Sequence, residues 1–221
     1  MEALLNAVEV RVLGALIEKK ITTSEYYPLT LNSVTTACNQ KSNRDPVVSL
    51  EDKVVVRALE GLREKGLARQ VSGVDMRVPK HYHLFDEKMC LTRPQVAVLC
   101  VLMLRGPQTV GEIRGRSGRL YEFTDLEEAE RVLMGLVERS EGALVVQLAR
   151  QPGRKESRYA HVLMGEPEED ESYAEGPVDA VALEVRAEDE RIAALEEQVR
   201  ILKDELADVR NAFAQFREQF D

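Results

Sequence analysis

The side chains of this sequence that could do chemistry are mainly cations and amides, gathered in three places. The run Asn39, Gln40, Lys41, Ser42, Asn43 and Arg44 offers amide and cationic donors that suit phosphate and base-edge contacts. Asn and Ser are also ordinary turn formers, so the same run reads as a plain loop. A second group is Arg114, Arg116 and Arg119, and a third is Arg150, Arg154, Lys155 and Arg158. The third surrounds a Pro152-Gly153 turn, and a basic hairpin tip suits a phosphate or minor-groove contact. The expected DNA-contacting set is therefore Lys41, Ser42, Asn43, Arg44, Arg114, Arg116, Arg119, Arg154, Lys155 and Arg158. Catalytic chemistry has much less to work with. His81 and His83 share a face by strand alternation, but the only further ligand nearby is Cys90, outside any ligand spacing. His83 and His161 read as structural residues bonding hairpin to helix. There is no Gly-rich phosphate loop, nucleophile elbow or carboxylate motif, so no enzyme, metal or cofactor is expected.

A net charge of −9 argues against a nucleic-acid partner until its distribution is read. Residues 1–90 carry a net +1, residues 91–164 a net +2, and residues 165–221 a net −12. The acidity belongs to the tail, and the body has a slight basic excess. Three cysteines, an odd number without paired spacing, suit a reduced cytoplasmic chain. The N-terminal stretch lacks the basic start of a signal peptide, and no long apolar run reads as a membrane span.

The elements that must position these groups come in two copies. Val12–Leu16 matches Val98–Leu102, and Thr30-Leu31-x-x-Val34 matches Thr109-Val110-x-x-Ile113. Leu59–Lys65 matches Leu133–Arg139, and Lys80–Phe85 matches Arg158–Leu163. The offsets run 86, 79, 74 and 78, so copy one carries 12 more residues between its first and third elements. Seven of these precede the second element and five follow it. Each copy reads helix, helix, helix, strand, hairpin, strand. In copy one the helices fall at about 6–19 and 31–38, with the third N-capped by Ser49 and ended at Gly66. In copy two they fall at about 93–104 and 110–116, with Thr124 and Glu127 as a capping box. The predicted class is mainly α with small β-hairpins (α+β): two tandem winged-helix domains, 1–90 and 91–164, before an acidic linker, 165–177.

A heptad pattern then runs over 178–221. With Ile192 at position a, Val199, Leu206 and Phe213 follow at a, and Leu195, Leu202, Val209 and Phe216 fill d. Glu188 alone interrupts the seam. Ile or Val at a with Leu at d favours a parallel dimer, as do the g-to-e′ pairs Arg191–Glu196 and Glu205–Arg210. The expected first partner is thus a second copy of the chain, through a parallel coiled coil. A helix folded back onto its own domain would need a similar stripe.

The run YYPLTLNSVTTACNQKSNRDPV over 26–47, LRGPQT over 104–109, Arg119, Leu120, Phe123 and PGRKESRY over 152–159 resemble the YceH-like family of uncharacterised bacterial proteins. The resemblance covers about residues 5–164. It implies two winged helices in a bacterial protein and leaves the activity open.

Two partners then compete. Winged helices ordinarily bind double-stranded DNA with the third helix in the major groove. Here copy two's third helix opens Asp125-Leu-Glu-Glu-Ala-Glu130, which would repel phosphates. A DNA-binding regulator would therefore use the copy-one loop and the hairpins instead. The rival is an adaptor for another protein, since tandem winged helices with acidic helices also resemble accessory subunits of chromosome-condensing complexes.

Overall fold

In a computed structural model, residues 5–73, 77–150 and 156–165 are described, together with Gln198, Arg200 and Lys203, which are helical. One compact unit spans Met1–Val181 and a second spans Ala182–Asp221. The protein is α+β, and helix-helix-helix-hairpin occurs twice in the first unit. Repeat one has α1 (Ala7–Thr22), α2 (Leu31–Cys38), α3 (Asp52–Glu64), β2 (Ala68–Val71) and β3 (Lys80–His83). Repeat two has α5 (Arg93–Arg105), α6 (Val110–Ser117), α7 (Leu126–Val137), β4 (Val145–Gln147) and β5 (Tyr159–His161). Among the elements too short to show a period, two bear on the packing. They are β1 (Leu29–Thr30), which adds an edge to β3, and α4 (Phe85–Lys88), which anchors the connector with buried Phe85.

The third-helix caps are displaced from their expected places. Ser49 does not cap α3; Glu51 is its N-cap, and Asp52 is its first residue. The chain before α3 stays extended because the Asn39 side chain pairs with both backbone groups of Leu50, each at 2.8 Å. Val48 and Leu50 are buried there, and the Asp52 carboxylate accepts from the Thr35 hydroxyl at 2.6 Å. In repeat two the N-cap is Asp125 rather than Thr124, and Glu128 reaches back to the Thr124 amide at 2.8 Å. At the other end of α3 the expected glycine stop is present. Gly66 has φ 67°, and Leu67 donates to the Leu62 carbonyl at 2.8 Å, closing a Schellman turn.

The two repeats share one core. α1 is sandwiched by α2, α3 and α5, so nearly its whole surface is buried, including Val12, Leu13, Leu16 and Ile17. α5 is buried almost all round from Val96 to Leu104. Helices with so little polar face are interior helices rather than amphipathic surface ones. Gly14 permits the contact: a Cβ there would lie 2.9 Å from Leu104 Cδ2 and 3.1 Å from Met103 Cβ. Its counterpart at the offset of 86 is Cys100, whose thiol sits 3.5 Å from the Gly14 carbonyl. Equivalent positions of the repeats therefore meet at the crossing, as they do at an isologous interface. The Leu5 amide also donates to the Leu163 carbonyl at 2.7 Å, tying the start of repeat one to the end of repeat two.

Candidate nucleic-acid interface

The α1–α5 packing creates a seam where the copy-one loop lies against repeat two. Arg44 is the loop's anchor, and its guanidinium is fully enclosed. It donates through Nε and Nη2 to the Ala37 carbonyl at 3.1 and 2.7 Å, through Nη1 to the Asn43 carbonyl at 2.9 Å, and to Glu18 Oε2 at 2.7 Å. Ala37 is in the last turn of α2, so Arg44 satisfies a helix-end carbonyl that has no intrahelical partner. Burial pushes the Glu18 carboxyl up, but the Arg44 hydrogen bond and the charges of Arg44, Lys19 and Arg119 hold it below its ordinary value. Arg44 is thus removed from the DNA-contacting set, because every phosphate-binding edge of it is spent inside the fold. Arg11 is buried alongside and donates to the Pro46 carbonyl at 2.6 Å. Burial and the neighbouring Arg44 lower its pKa to about 10.

Asn43 is also partly structural. It adopts φ 58°, the left-handed region that Asn tolerates better than most residues. Its Oδ1 accepts from Arg105 Nη2 at 2.6 Å, and the Asp45 amide donates to the Leu104 carbonyl at 2.9 Å. Lys41 and Ser42 remain exposed at the loop's tip.

Repeat two supplies the other side of the seam. Arg119 reaches to 3.9 Å from Glu18 Oε1 while 65% of its side chain stays exposed. Arg116 hydrogen-bonds Gln108 and lies 3.4 Å from Glu112. Asn43, Arg105, Arg116 and Arg119 line a cleft of about 20 Å³ with Glu18 at its floor. That volume holds about one water molecule, so the cleft presents a charged surface and is no ligand cavity. Arg105 was not anticipated, although a signal existed. At the offset of 86 it is the counterpart of Lys19, so both repeats carry a cation at the end of their first helix.

The other expected contacts are scattered. Arg114 is exposed, 3.3 Å from the Thr124 carbonyl. Arg158 is half-buried, donates to the Pro107 carbonyl at 2.6 Å and lies 3.4 Å from Glu112. Arg154 and Lys155 lie outside the described residues, as do the coiled-coil residues Ile192, Leu195, Val199, Leu202, Leu206, Val209, Phe213 and Phe216. Neither third helix offers a basic face. α7 exposes Glu127 and Glu130 beside Leu126 and Met134, with Glu138 exposed at its C-cap and Arg131 the one exposed cation among these neighbours.

His83 does not make the hairpin-to-helix hydrogen bond expected of its ring. The His83 ring makes no hydrogen bond; both nitrogens are buried, with Nδ1 3.5 Å from Asp86 Oδ1. Its backbone amide donates to the Tyr27 hydroxyl at 2.7 Å, and the two rings meet edge-on. Burial, then the Lys20 charge, lowers the His83 pKa to about 4, and burial alone does the same for His161. Among the described residues no group of three or more His, Cys, Asp or Glu is placed to hold a metal ion. Cys38 and Cys100 are buried, and burial raises the Cys38 thiol to about 12, which keeps it protonated and inert. Among the described residues no helix is long and apolar enough to cross a membrane.

A twofold-repeated helical body with a cationic seam defines a class that compares directly with known sequences. Residues 5–154 match the family described as "Protein of unknown function, DUF480". The chain is 54% identical to the UPF0502 protein of Geobacter metallireducens and 53% to that of Geobacter sulfurreducens, over the whole of both chains in each case. It is 44% identical to the UPF0502 protein of Vibrio atlanticus, over 95% of this chain and 97% of that one. The protein belongs to this family of uncharacterised bacterial proteins.

Proposed function

We propose that this is a non-enzymatic, dimeric, cytoplasmic DNA-binding protein built from two winged helices, and that it grips the duplex backbone through the seam between them. The observation that carries the reading is the convergence of Arg105, Arg116 and Arg119 of repeat two on the Asn43 loop of repeat one, which ends outward in Lys41. A cationic rim on a rigid, buried anchor is a backbone-positioning surface and reads no sequence by itself. Arg114, Arg154, Lys155 and Arg158 would extend it along the second hairpin. The heptads over 178–221 supply the dimer, which would pair two such surfaces on one duplex. Anisotropy with a labelled duplex at about 50 mM salt tests the reading. Binding should weaken steeply with salt, and Arg119→Ala should lower the slope of log K against log salt by about 1. No binding at low salt would sink it. Sedimentation of the full chain against residues 1–177 tests the dimer separately, and a monomeric full chain would overturn that part.

One observation favours a second reading, an adaptor for another protein. α7 turns Leu126, 49% exposed, and Met134, 38% exposed, outward among carboxylates. That face suits a basic amphipathic helix better than a phosphate backbone. Loss of a co-purifying protein on Leu126→Glu, with DNA affinity unchanged, would favour it.

A further inference from the structure

Repeat one contains a cavity of about 510 Å³ beneath its hairpin, well away in character from the charged seam. Its walls are Leu31 at the start of α2, Val56 and Leu59 of α3, Ala68 of β2, and Val78 with Pro79 on the way into β3. The size falls within the usual range for small-molecule sites, roughly 300–1,000 Å³, and predominantly apolar walls with a few polar groups are their usual chemistry. Val78, at the mouth, is 51% exposed although apolar, so it is a surface that an occupant would cover.

The polar groups specify the occupant's charge. Arg63 lines the cavity, and its guanidinium makes no hydrogen bond or ion pair to a described residue. His81 faces in from β3, flanked in register by Leu29 and Gln70. Burial, then the nearby Arg63 charge, pushes its imidazole below its ordinary value, which places the Arg63 charge close to the His81 side of the cavity. Two carboxylates also line the cavity. Asp52 is engaged by the Thr35 hydroxyl and sits in the first turn of α3, where the helix dipole offsets its charge. Glu60 is exposed on the rim, as Arg63 is, and solvent screens both, so the selection for an anion rests on the paired donor geometry of Arg63 rather than on net charge.

We propose that this cavity binds a small organic carboxylate with a flat or branched apolar body. The body lies against Leu31, Val56, Leu59 and Val78, and the carboxylate meets the Arg63 guanidinium. Arg63 presents a planar donor fork, which a carboxylate matches through two parallel hydrogen bonds. The site needs no nucleic acid, so its failure and that of the DNA reading are independent.

The test uses 2-naphthoate as the probe and 2-naphthamide as its uncharged partner, titrated into the full chain by calorimetry and by methyl NMR. The carboxylate should bind roughly tenfold or more tightly than the amide, the size of one charge-assisted pair. Val56, Leu59 and Val78 methyls should shift together. Arg63→Gln should remove most of the carboxylate preference. Val56→Trp should fill the cavity and abolish binding. The exposed Val78→Asp change, which burdens no core packing, should weaken it severalfold. Equal binding of acid and amide, shifts elsewhere than these methyls, or no shift up to the solubility limit would each overturn the proposal.

Discussion

The same slot, the connection from second to third helix, is filled in opposite ways by the two repeats. Repeat one uses a longer loop held by polar groups: the buried Arg44–Glu18 pair, the Asn39–Leu50 pairing and the Asn43–Arg105 bond. Repeat two uses a shorter one held by buried Leu120 and Phe123, with Tyr121 stacked edge-on against Phe123 and bonded to Glu128 at 2.7 Å. A short apolar connection fills its space with side chains. A loop with extra backbone must also satisfy extra carbonyls and amides, which apolar residues cannot do. The five additional residues after α2 therefore come with buried ions and amides, and these hold the loop's cationic tip out to solvent.

The largest effect that would break this contrast is at Arg44. Arg44→Ala removes the hydrogen-bonded partner of buried Glu18 and leaves it only Lys19 at 3.6 Å and Arg119 at 3.9 Å, which should cost about 3 kcal/mol in urea unfolding. A loss below ~1 kcal/mol would mean that the polar loop is decoration. Next comes a feature the repeats share. His83 and His161 are held to a pKa of about 4 by burial, against 6.5 in the unfolded chain. Below pH 6.5 the unfolded state takes up protons that the folded state refuses, so stability should fall as pH drops from 6.5 toward 4. The size is roughly 2–3 kcal/mol per histidine. Thermal melts across this window, repeated with His83→Asn and His161→Asn, should show each variant flattening part of the slope. A flat profile in the parent would show that neither ring is buried neutral.

Smaller effects sharpen the joint between the repeats. Gly14→Ala gains helix propensity but forces Leu104 and Met103 back from α1, for a net loss of about 1–2 kcal/mol. Denaturant melts would reveal it, and a stabilised variant would mean that the crossing has slack. The smallest expected effect is at Lys41. Lys41→Ala should leave stability within ~0.5 kcal/mol, because the side chain is exposed. It should still weaken duplex binding severalfold if the seam faces DNA. A destabilised Lys41→Ala would erase the division between anchor and tip.

Much of the fold was legible because its signals are local. Periodicity and turn residues place α2 at Leu31–Cys38 and the stop of α3 at Gly66, as found. The fourfold register of matches announces the duplication, since equivalent elements need equivalent apolar spacing. The cap of α3 lies two residues from its expected place because Asn39 holds Leu50 across eleven residues, a pairing that local spacing does not reveal. The cap of α7 lies one residue away because Asp125 and Glu128 compete locally with Thr124 and Glu127 for the same turn. The site was legible in residue type and wrong in direction for Arg44. A guanidinium in a polar loop has the same sequence signature whether it points out or in. Only the buried Glu18 and the open end of α2 decide that it points in.

The sequence by itself determined the longer helices and hairpins, their duplication and the acidic tail, because these follow from spacing and charge along the chain. Tertiary structure alone decided that Gly14 meets Cys100, that Arg105 joins Arg116 and Arg119, and that a cavity opens under the first hairpin. Each of these depends on which faces meet, and a linear pattern records a face but not its partner.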